Sequence, residues 1–354
     1  MLTAVVKDVI DLAGEVTGAG NPVWAATHDP APRDAVCVER LRAAGIAILG
    51  KATCAEFAFS LSGDNAHFGM PSNAAAPDRN PGGSSSGSPA AVSAATSDIG
   101  VGTDELGSVR IPASYCGLFG YRPSYGFVDT TGVLHLARSF DTVGLLTASG
   151  PVLLAAAEAL VGRGLSDGPS ARRVRVVADA LALADALVRP SLDVALSTVL
   201  EAVGGESETI DAFGDETGFR RALDVFSTMQ GFEVWQQFGD WIERHDPSFG
   251  PGVAERFARA MSITRTEYDS AQVACASLRA RIVDLLDGCG ARAAYDRRGR
   301  TAAHCGRGRI ATRTPAGGTP VLSRFAGGLS FDIVTSHSDR WHTGWLCAGG
   351  SAGG

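Results

Sequence analysis

Two stretches decide the fold and the chemistry of this chain: Pro81-Gly-Gly-Ser-Ser-Ser-Gly-Ser88 and Gly102-Thr-Asp-Glu-Leu-Gly-Ser-Val-Arg-Ile-Pro-Ala-Ser114. Glycines that flank serines let the backbone turn tightly and present amide N–H groups to an anion. The segment 73–88 has neither helical nor strand periodicity, and long loops of this kind inside a compact domain are commonly functional. We therefore expect the reactive groups to lie here.

Outward from these stretches, short apolar strands alternate with helices. Strands are predicted at Thr3–Ile10, Ile46–Leu49, Ile99–Gly102 and Leu118–Tyr121. Helices are predicted at Asp34–Ala44, Cys54–Ser60 and Pro89–Thr96, with another beginning at Ser108. This alternation predicts an α/β fold with a mixed or parallel β-sheet core flanked by helices. From Ser149 to Leu286 helical patterns dominate, with one strand at Val174–Val177.

Composition excludes several classes of protein. The chain is 45% hydrophobic and 19% charged, as in a globular protein, and its net charge of −7 argues against non-specific nucleic-acid binding. The longest apolar helical segment, Pro151–Gly162, contains Glu158 and is too short to span a bilayer. The first residues do not have the pattern of a secretory leader. Scattered cysteines without a CxxC pair indicate reduced thiols in a cytoplasmic compartment.

The serine-rich stretch allows other interpretations. A phosphate-binding loop would end in Gly-Lys-Ser/Thr, but no lysine follows Lys51. Gly83–Gly87 fits G-x-S-x-G, with Ser85 as the nucleophile, although the residues before it are poor strand formers. That hypothesis would also need an acid such as Asp104 or Asp141, and His245 as the base. A flexible Gly/Ser linker is the plainest reading, and the apolar segments on both sides argue against it.

Lysine is rare in this chain. Lys7 and Lys51 are the only lysines among 31 basic residues. Arginine cannot give up its proton in a protein, so a chain rich in arginine can keep lysine where a neutral amine is needed. Codon bias is the alternative explanation.

The two stretches resemble the signature of the amidase signature family. Other segments resemble that family in the same order: AVVKDVIDLAG, LRAAGIAILGKATCAEFAFS, SYCGLFGYRPSYG and SFDTVG. The resemblance is strongest to plant-type indole-3-acetamide hydrolases, through GNPVWAATH, SGDNAHFGMPSN and DPSFGPGVAERF. It covers residues 1 to 288 and implies the twisted mixed β-sheet of the amidase-signature fold.

The resemblance also implies a Ser-cisSer-Lys triad. Lys7 matches the catalytic lysine, Ser84 the bridging serine with a cis peptide bond, and Ser108 the nucleophile. A buried lysine can act as a base because desolvation disfavours its ammonium form. Lys51 matches a common family lysine outside the triad. Ser85, Ser86 and Ser88 are interpreted as hydrogen-bond donors that shape the loop.

The oxyanion donors implied by the resemblance are the backbone N–H groups of Glu105, Leu106, Gly107 and Ser108. The family usually has Thr-Gly-Gly-Ser here. A leucine at position 106 would be strained if that position needs a positive φ, and Glu105 would bring a negative charge near the oxyanion. Weakened activity is therefore one expectation.

Further polar residues are assigned structural roles. Asp104 and Arg110 are predicted to form an ion pair that braces the nucleophile loop, and Asp141 is interpreted as a carboxylate that orients a loop. His67 and His135 are predicted to be isolated. The tryptophans are assigned to the core or to a pocket wall: Trp24, Trp235 and Trp241.

The last residues differ from the rest. Residues 289–354 carry nine arginines and three aspartates but no lysine or glutamate. We interpret this Arg/Gly-rich tail as a shifted reading frame, since Arg292–Gly299 can be encoded so that a one-base shift gives an apolar strand. Disorder and a basic nucleic-acid arm are the alternatives. Residues 1–288 then form an amidase signature domain that is short at its N-terminus and incomplete at its C-terminal end.

The function expected from the sequence is hydrolysis of a small carboxylic amide to acid and ammonia, with an arylacetamide such as indole-3-acetamide as substrate. No metal or organic cofactor is implied, and no nucleic-acid or membrane partner. A homodimer is left open. The alternatives are a catalytically weak or inactive amidase-like scaffold that binds a partner, and an amidotransferase A-type subunit.

Overall fold

A computed structural model describes residues 1–162, 173–184, 186, 188–203, 206–287 and 345–348 of the chain. Its strands are β1 Thr3–Lys7, β2 Ala47–Ala52, β3 Ile99–Thr103, β4 Phe119–Arg122, β5 Val143–Thr147, β6 Arg173–Val177, β7 Glu206–Ile210 and β8 Trp345–Ala348. Its helices are α1 Pro22–Ala26, α2 Val36–Ala43, α3 Gly87–Ser93, α4 Arg110–Tyr115, α5 Gly150–Val161, α6 Ala178–Ala182, α7 Arg189–Val203, α8 Glu216–His245, α9 Val253–Ser262 and α10 Arg265–Asp287.

The core is a mixed sheet in the order β2-β1-β3-β5-β4-β8. Strand β1 runs parallel to β2 and β3, whereas the pairs β3–β5, β5–β4 and β4–β8 are antiparallel. Strands β6 and β7 form a separate parallel pair. The predicted α/β class, with a mixed sheet flanked by helices, is therefore confirmed. The predictions for the tail at 289–354 lie outside the described residues, apart from the strand β8.

Strand β1 ends earlier than the predicted Thr3–Ile10. The N–H groups of Val9 and Ile10 both donate to the carbonyl oxygen of Lys7, at 2.8 and 3.0 Å. These bonds turn the chain directly after Lys7, so that residue stands at the carboxyl end of a central strand. The apolar residues that follow still enter the core, which is why their pattern suggested a longer strand.

The predicted helix Cys54–Ser60 is wrong. Only Glu56–Ala58 forms a single 3-10 turn, in which Phe57 and Ala58 have φ of 52° and 59°. The buried Glu56 carboxylate explains the local turn, since it accepts hydrogen bonds from Asn21 Nδ2 at 2.6 Å and from the Gly250 N–H at 2.9 Å. These distant partners fix the segment in a conformation that its apolar pattern does not encode.

Strands β5 and β7 were not predicted. All five residues of β5 are buried, so its sequence has no polar alternation to mark it as a strand. Strand β7, ESETI, is mostly polar and pairs with β6 at the edge of the helical region.

Aromatic side chains pack α8 against the N-terminal half. The Phe57 ring lies 5.4 Å from Trp24 and 4.9 Å from Phe238, and Trp241 packs 5.0 Å from Trp24. Edge-to-face contacts of this kind add to the stabilisation from buried apolar area. The partly buried Trp235 packs against the same core. The three tryptophans thus belong to the core, as predicted.

Candidate active site

Lys7 lies at the centre of the candidate site. Its side chain is fully buried at the end of β1, and its Nζ donates hydrogen bonds of 2.7 Å to Ser84 Oγ and 2.7 Å to Thr103 Oγ1. Burial lowers the pKa of the Lys7 amine, and the charge of Glu105 opposes that shift. A buried amine with hydroxyl partners has the features of a general base.

The serine loop is held tightly around Ser84. The Gly83–Ser84 peptide bond is cis, as the resemblance implied for this position. A Cβ on Gly83 would lie 2.2 Å from the carbonyl oxygen of Ser62, so only glycine fits there. The Ala55 N–H donates to the Ser84 carbonyl oxygen at 2.9 Å. These contacts direct the Ser84 hydroxyl toward Lys7.

The other serines of the loop differ in their roles. Ser85 Oγ donates to the carbonyl oxygen of Thr103 at 3.3 Å and Ser88 Oγ to that of Val101 at 2.9 Å, as expected for loop-shaping donors. Ser86 does not follow the prediction, because its buried Oγ has no hydrogen-bond partner in the described part of the chain.

Ser108 contacts the serine loop through its backbone. Its carbonyl oxygen accepts a hydrogen bond of 3.3 Å from the Ser85 N–H, which joins the nucleophile candidate to the residue after Ser84. The residue is 2% exposed. Lys7 and Ser84 are therefore in direct contact, whereas the hydrogen bond of Ser108 runs from its backbone to Ser85, the residue after Ser84.

The oxyanion loop departs from expectation at two positions. Leu106 does not have a positive φ; the left-handed conformation falls on Gly107, at 135°, so the expected strain at the leucine is absent. The Gly107 N–H already donates to Asp104 Oδ1 at 2.8 Å. The N–H groups of Glu105, Leu106 and Ser108 remain as predicted oxyanion donors.

Asp104 braces this loop. Its carboxylate accepts from Arg110 Nε at 2.9 Å and from Arg110 Nη2 at 2.7 Å, which is the predicted ion pair. Arg122 Nε lies 3.4 Å from Asp104 Oδ1. Burial alone would raise the pKa of the Asp104 carboxyl, but the two guanidinium groups and backbone donors outweigh it and hold the pKa well below its usual range.

Glu105 is the other buried carboxyl of the loop, at 7% exposure. Burial, and then the charge of Asp141, raise the pKa of Glu105 to about 8, although Lys7 acts in the opposite direction. Burial of Glu105 therefore opposes the negative charge that the sequence alone suggested at this position.

The two histidines predicted to be isolated are paired. His135 Nδ1 lies 2.7 Å from Asp141 Oδ2, and His67 Nε2 lies 2.9 Å from Glu56 Oε1. The other oxygen of Asp141 accepts from the Ala137 N–H at 3.0 Å, which agrees with a loop-orienting role. The sequence missed these pairs because nothing in its local pattern indicates them.

Lys51 and His245 lie outside this cluster. Lys51 Nζ donates to the Ile10 carbonyl oxygen at 3.0 Å and to Thr17 Oγ1 at 2.8 Å. His245 Nδ1 lies 3.0 Å from the Trp241 carbonyl oxygen, at the end of α8. The alternative with Ser85 as nucleophile and His245 as base therefore has no support in the geometry.

Thr103 was missed as a functional residue. A signal was available, since it directly precedes Asp104 in the second stretch and ends β3, which pairs with β1.

Nowhere in the described ranges do three or more His, Cys, Asp or Glu side chains gather as a metal site would require. No helix within those ranges is long and apolar enough to cross a membrane.

The chain is similar in sequence to known amidases. The sequence profile of the family described as Amidase matches residues 2–208. Amidase 1 of Arabidopsis thaliana is 36% identical over 80% of this chain and 72% of that protein. Amidase 1 of Oryza sativa subsp. japonica is 35% identical over 74% of this chain and 65% of that protein.

A crystal structure of an amidase has the same fold. It matches with a TM-score of 0.73 and 31% identity over 81% of this chain and 64% of that chain. The chain therefore spans roughly two thirds of the length of the relatives it matches.

Proposed function

The chain belongs to the amidase family, and from that premise we propose that it hydrolyses a small carboxylic amide to the acid and ammonia. The proposed catalytic residues are Lys7 as base, Ser84 as bridging serine and Ser108 as nucleophile. One observation carries the proposal: the fully buried Lys7 amine lies 2.7 Å from the hydroxyl of Ser84.

The chemistry requires Lys7 in its neutral form. A lysine with an unperturbed pKa of about 10.4 is protonated at neutral pH and cannot accept a proton. Burial lowers the pKa of Lys7, and its neighbours are hydroxyl groups that satisfy a neutral amine. Lys7 Nζ donates to both hydroxyls in the structure, and for catalysis we propose that it keeps the bond to Thr103 while its lone pair accepts the Ser84 proton.

The proton then follows a relay. The Ser108 oxygen attacks the amide carbonyl carbon while its proton passes to Ser84, and the Ser84 proton passes to Lys7. Breakdown of the tetrahedral intermediate breaks the carbon–nitrogen bond. Lys7 returns the proton through Ser84 to the leaving nitrogen, which departs as ammonia. Water attacks the acyl-enzyme along the same route and releases the acid.

The oxyanion of the intermediate needs aimed N–H donors, and the loss of one such donor costs about 100- to 1,000-fold in turnover. We assign this role to the N–H groups of Glu105, Leu106 and Ser108. Gly107 instead shapes the loop, through its φ of 135° and the hydrogen bond that its N–H donates to Asp104.

The proposed substrate is an arylacetamide such as indole-3-acetamide. This choice is supported by the similarity to the two plant Amidase 1 proteins and by the GNPVWAATH and SGDNAHFGMPSN segments. We also propose a cytoplasmic location, on the basis of the free cysteines Cys37, Cys54, Cys116 and Cys275.

Covalent labelling tests the proposal. A fluorophosphonate probe should modify the wild-type chain at Ser108, and Ser108→Ala should abolish both the adduct and ammonia release from indole-3-acetamide. Ser93→Ala is the matched control, because Ser93 only donates to the Ala90 carbonyl oxygen on α3. A folded wild-type chain that takes up no probe and releases no ammonia would favour the non-catalytic scaffold instead.

A further inference from the structure

The loop 139–142 holds the start of the nucleophile loop by its backbone. The Thr142 carbonyl oxygen accepts a hydrogen bond of 2.9 Å from the Asp104 N–H, and Thr142 Oγ1 donates to the Asp104 carbonyl oxygen at 2.8 Å. Arg122 joins the same two segments, because its Nε donates to the Asp104 carbonyl oxygen and its Nη2 to that of Phe140, each at 3.2 Å. The position of Asp104 therefore depends on where the loop 139–142 lies.

Asp104 transmits that position to the proposed nucleophile. Its carboxylate accepts hydrogen bonds from the N–H groups of Gly107 at 2.8 Å, Val109 at 3.1 Å and Arg110 at 3.3 Å. Ser108 lies between Gly107 and Val109 in the sequence. A displacement of Asp104 would thus move the backbone on both sides of Ser108.

Glu233, on α8, holds the loop 139–142 from the helical side. Its Oε2 accepts from the Ser139 N–H at 3.0 Å, and its Oε1 accepts from Ser139 Oγ at 2.5 Å. Tyr268 Oη, on α10, donates to the same Oε1 at 3.0 Å. These three hydrogen bonds join two helices to a loop that lies 94 positions away from Glu233 in the chain.

Two further contacts place the helices against this loop. The Phe140 ring lies 4.7 Å from the ring of Phe226 on α8. Arg279 Nη2, on α10, donates to the Ser139 carbonyl oxygen at 3.2 Å. The loop 139–142 is therefore held between the helices α8 and α10 on one side and the nucleophile loop on the other.

We propose that Glu233 is a positioning residue for the hydrolysis proposed above: it fixes the loop 139–142 so that Asp104 keeps the backbone around Ser108 in its reactive geometry. The inference rests on the proposed function, because it concerns the same site. A misplacement of about 1 Å caused by a change far from the chemistry can cost about 100-fold in rate. Because Glu233 acts through Ser139 and Asp104, its loss affects kcat rather than substrate affinity.

Steady-state ammonia release from indole-3-acetamide tests the proposal. Glu233→Ala should lower kcat by about 10- to 100-fold and leave KM within about twofold. Glu233→Gln keeps an acceptor oxygen for Ser139 Oγ and Tyr268 Oη, so it should recover part of the lost kcat. Glu243→Ala makes the same change at an exposed position of α8 and should keep the wild-type kcat. A folded Glu233→Ala variant with the wild-type kcat, or with only a higher KM, overturns the proposal.

Amide hydrogen exchange gives a second measurement that does not depend on activity. Glu233→Ala should speed exchange in the segment 104–110 severalfold and leave β1 unchanged, which separates a local displacement from global unfolding. Tyr268→Phe removes one donor to Glu233 but keeps the ring that stacks on Phe232 at 4.4 Å, so a smaller change in the same segment is expected.

The exchange measurement also separates this proposal from the proposed function. Unchanged exchange at 104–110 in both Glu233→Ala and Tyr268→Phe overturns the role of Glu233. A wild-type chain that releases no ammonia, but whose segment 104–110 still responds to Glu233→Ala, contradicts the proposed function and supports the connection from α8 to the nucleophile loop.

Discussion

Lys7 and Lys51 lie on adjacent strands of one sheet, yet their surroundings differ completely. Val6 is paired with Lys51 in the register of β1 and β2. Lys7 is fully buried among hydroxyl groups, whereas the Lys51 side chain is 11% exposed and lies 3.3 Å from Asp8 Oδ1. The partner and the burial of an amine, rather than its residue type, therefore decide whether it can act as a base.

The largest expected effect separates the two lysines by activity. Lys7→Met removes the proposed general base, and the loss of such a group costs about 100- to 10,000-fold in kcat. Lys51→Met should leave kcat within about twofold, because Lys51 does not contact the proposed triad. Steady-state ammonia release from indole-3-acetamide measures both variants. Equal losses in the two variants would show that Lys7 does not act as the specific base.

A smaller effect is expected at Thr103. Thr103→Val keeps the shape of the side chain but removes the hydroxyl that accepts a hydrogen bond from Lys7 Nζ at 2.7 Å. A lost hydrogen bond of about 1 kcal/mol corresponds to roughly a fivefold to tenfold lower kcat. Thr103→Ser should restore most of the rate. If Thr103→Val keeps the wild-type kcat and kcat/KM, Thr103 does not orient the amine.

The smallest effect concerns stability in the region of Lys51. Lys51 Nζ contacts the Asp8 carboxylate and donates hydrogen bonds to the Ile10 carbonyl oxygen and to Thr17 Oγ1. Lys51→Met should lower the free energy of unfolding by about 1 kcal/mol, as is typical of partly buried ion pairs and hydrogen bonds. Urea unfolding followed by circular dichroism gives the value. An unchanged midpoint would mean that this ion pair does not contribute to stability.

Much of the site could be predicted from sequence because it lies in two long contiguous motifs. Ser84, Asp104, Ser108 and Arg110 all occur in those stretches, and Asp104 and Arg110 are close enough along the chain to meet across one turn. The α/β class followed from the alternation of short strands and helices. Lys7 was implied by the resemblance to the amidase signature family; its apolar strand and the rarity of lysine agreed with that assignment.

The rest depends on contacts between distant segments. Thr103 meets Lys7 only because β3 pairs with β1, and His67 meets Glu56 only because a turn brings them together. Strand β5 is buried on both faces and so lacks the alternation that identifies a strand. The φ of Leu106 could not be predicted from its position, because Gly107 takes the left-handed conformation beside it.

The carboxylate of Glu56 has a consequence for how the molecule assembles. It joins Asn21 to the Gly250 N–H, a partner 194 positions further along the chain. Contacts between such remote positions are slow to form, because a long loop must close first. The neighbouring Ala55 N–H donates to the Ser84 carbonyl oxygen, so the turn that holds the segment after α8 also holds the serine loop. A substitution near Gly250 is therefore expected to reach the serine loop through Glu56 and Ala55 without lying beside it.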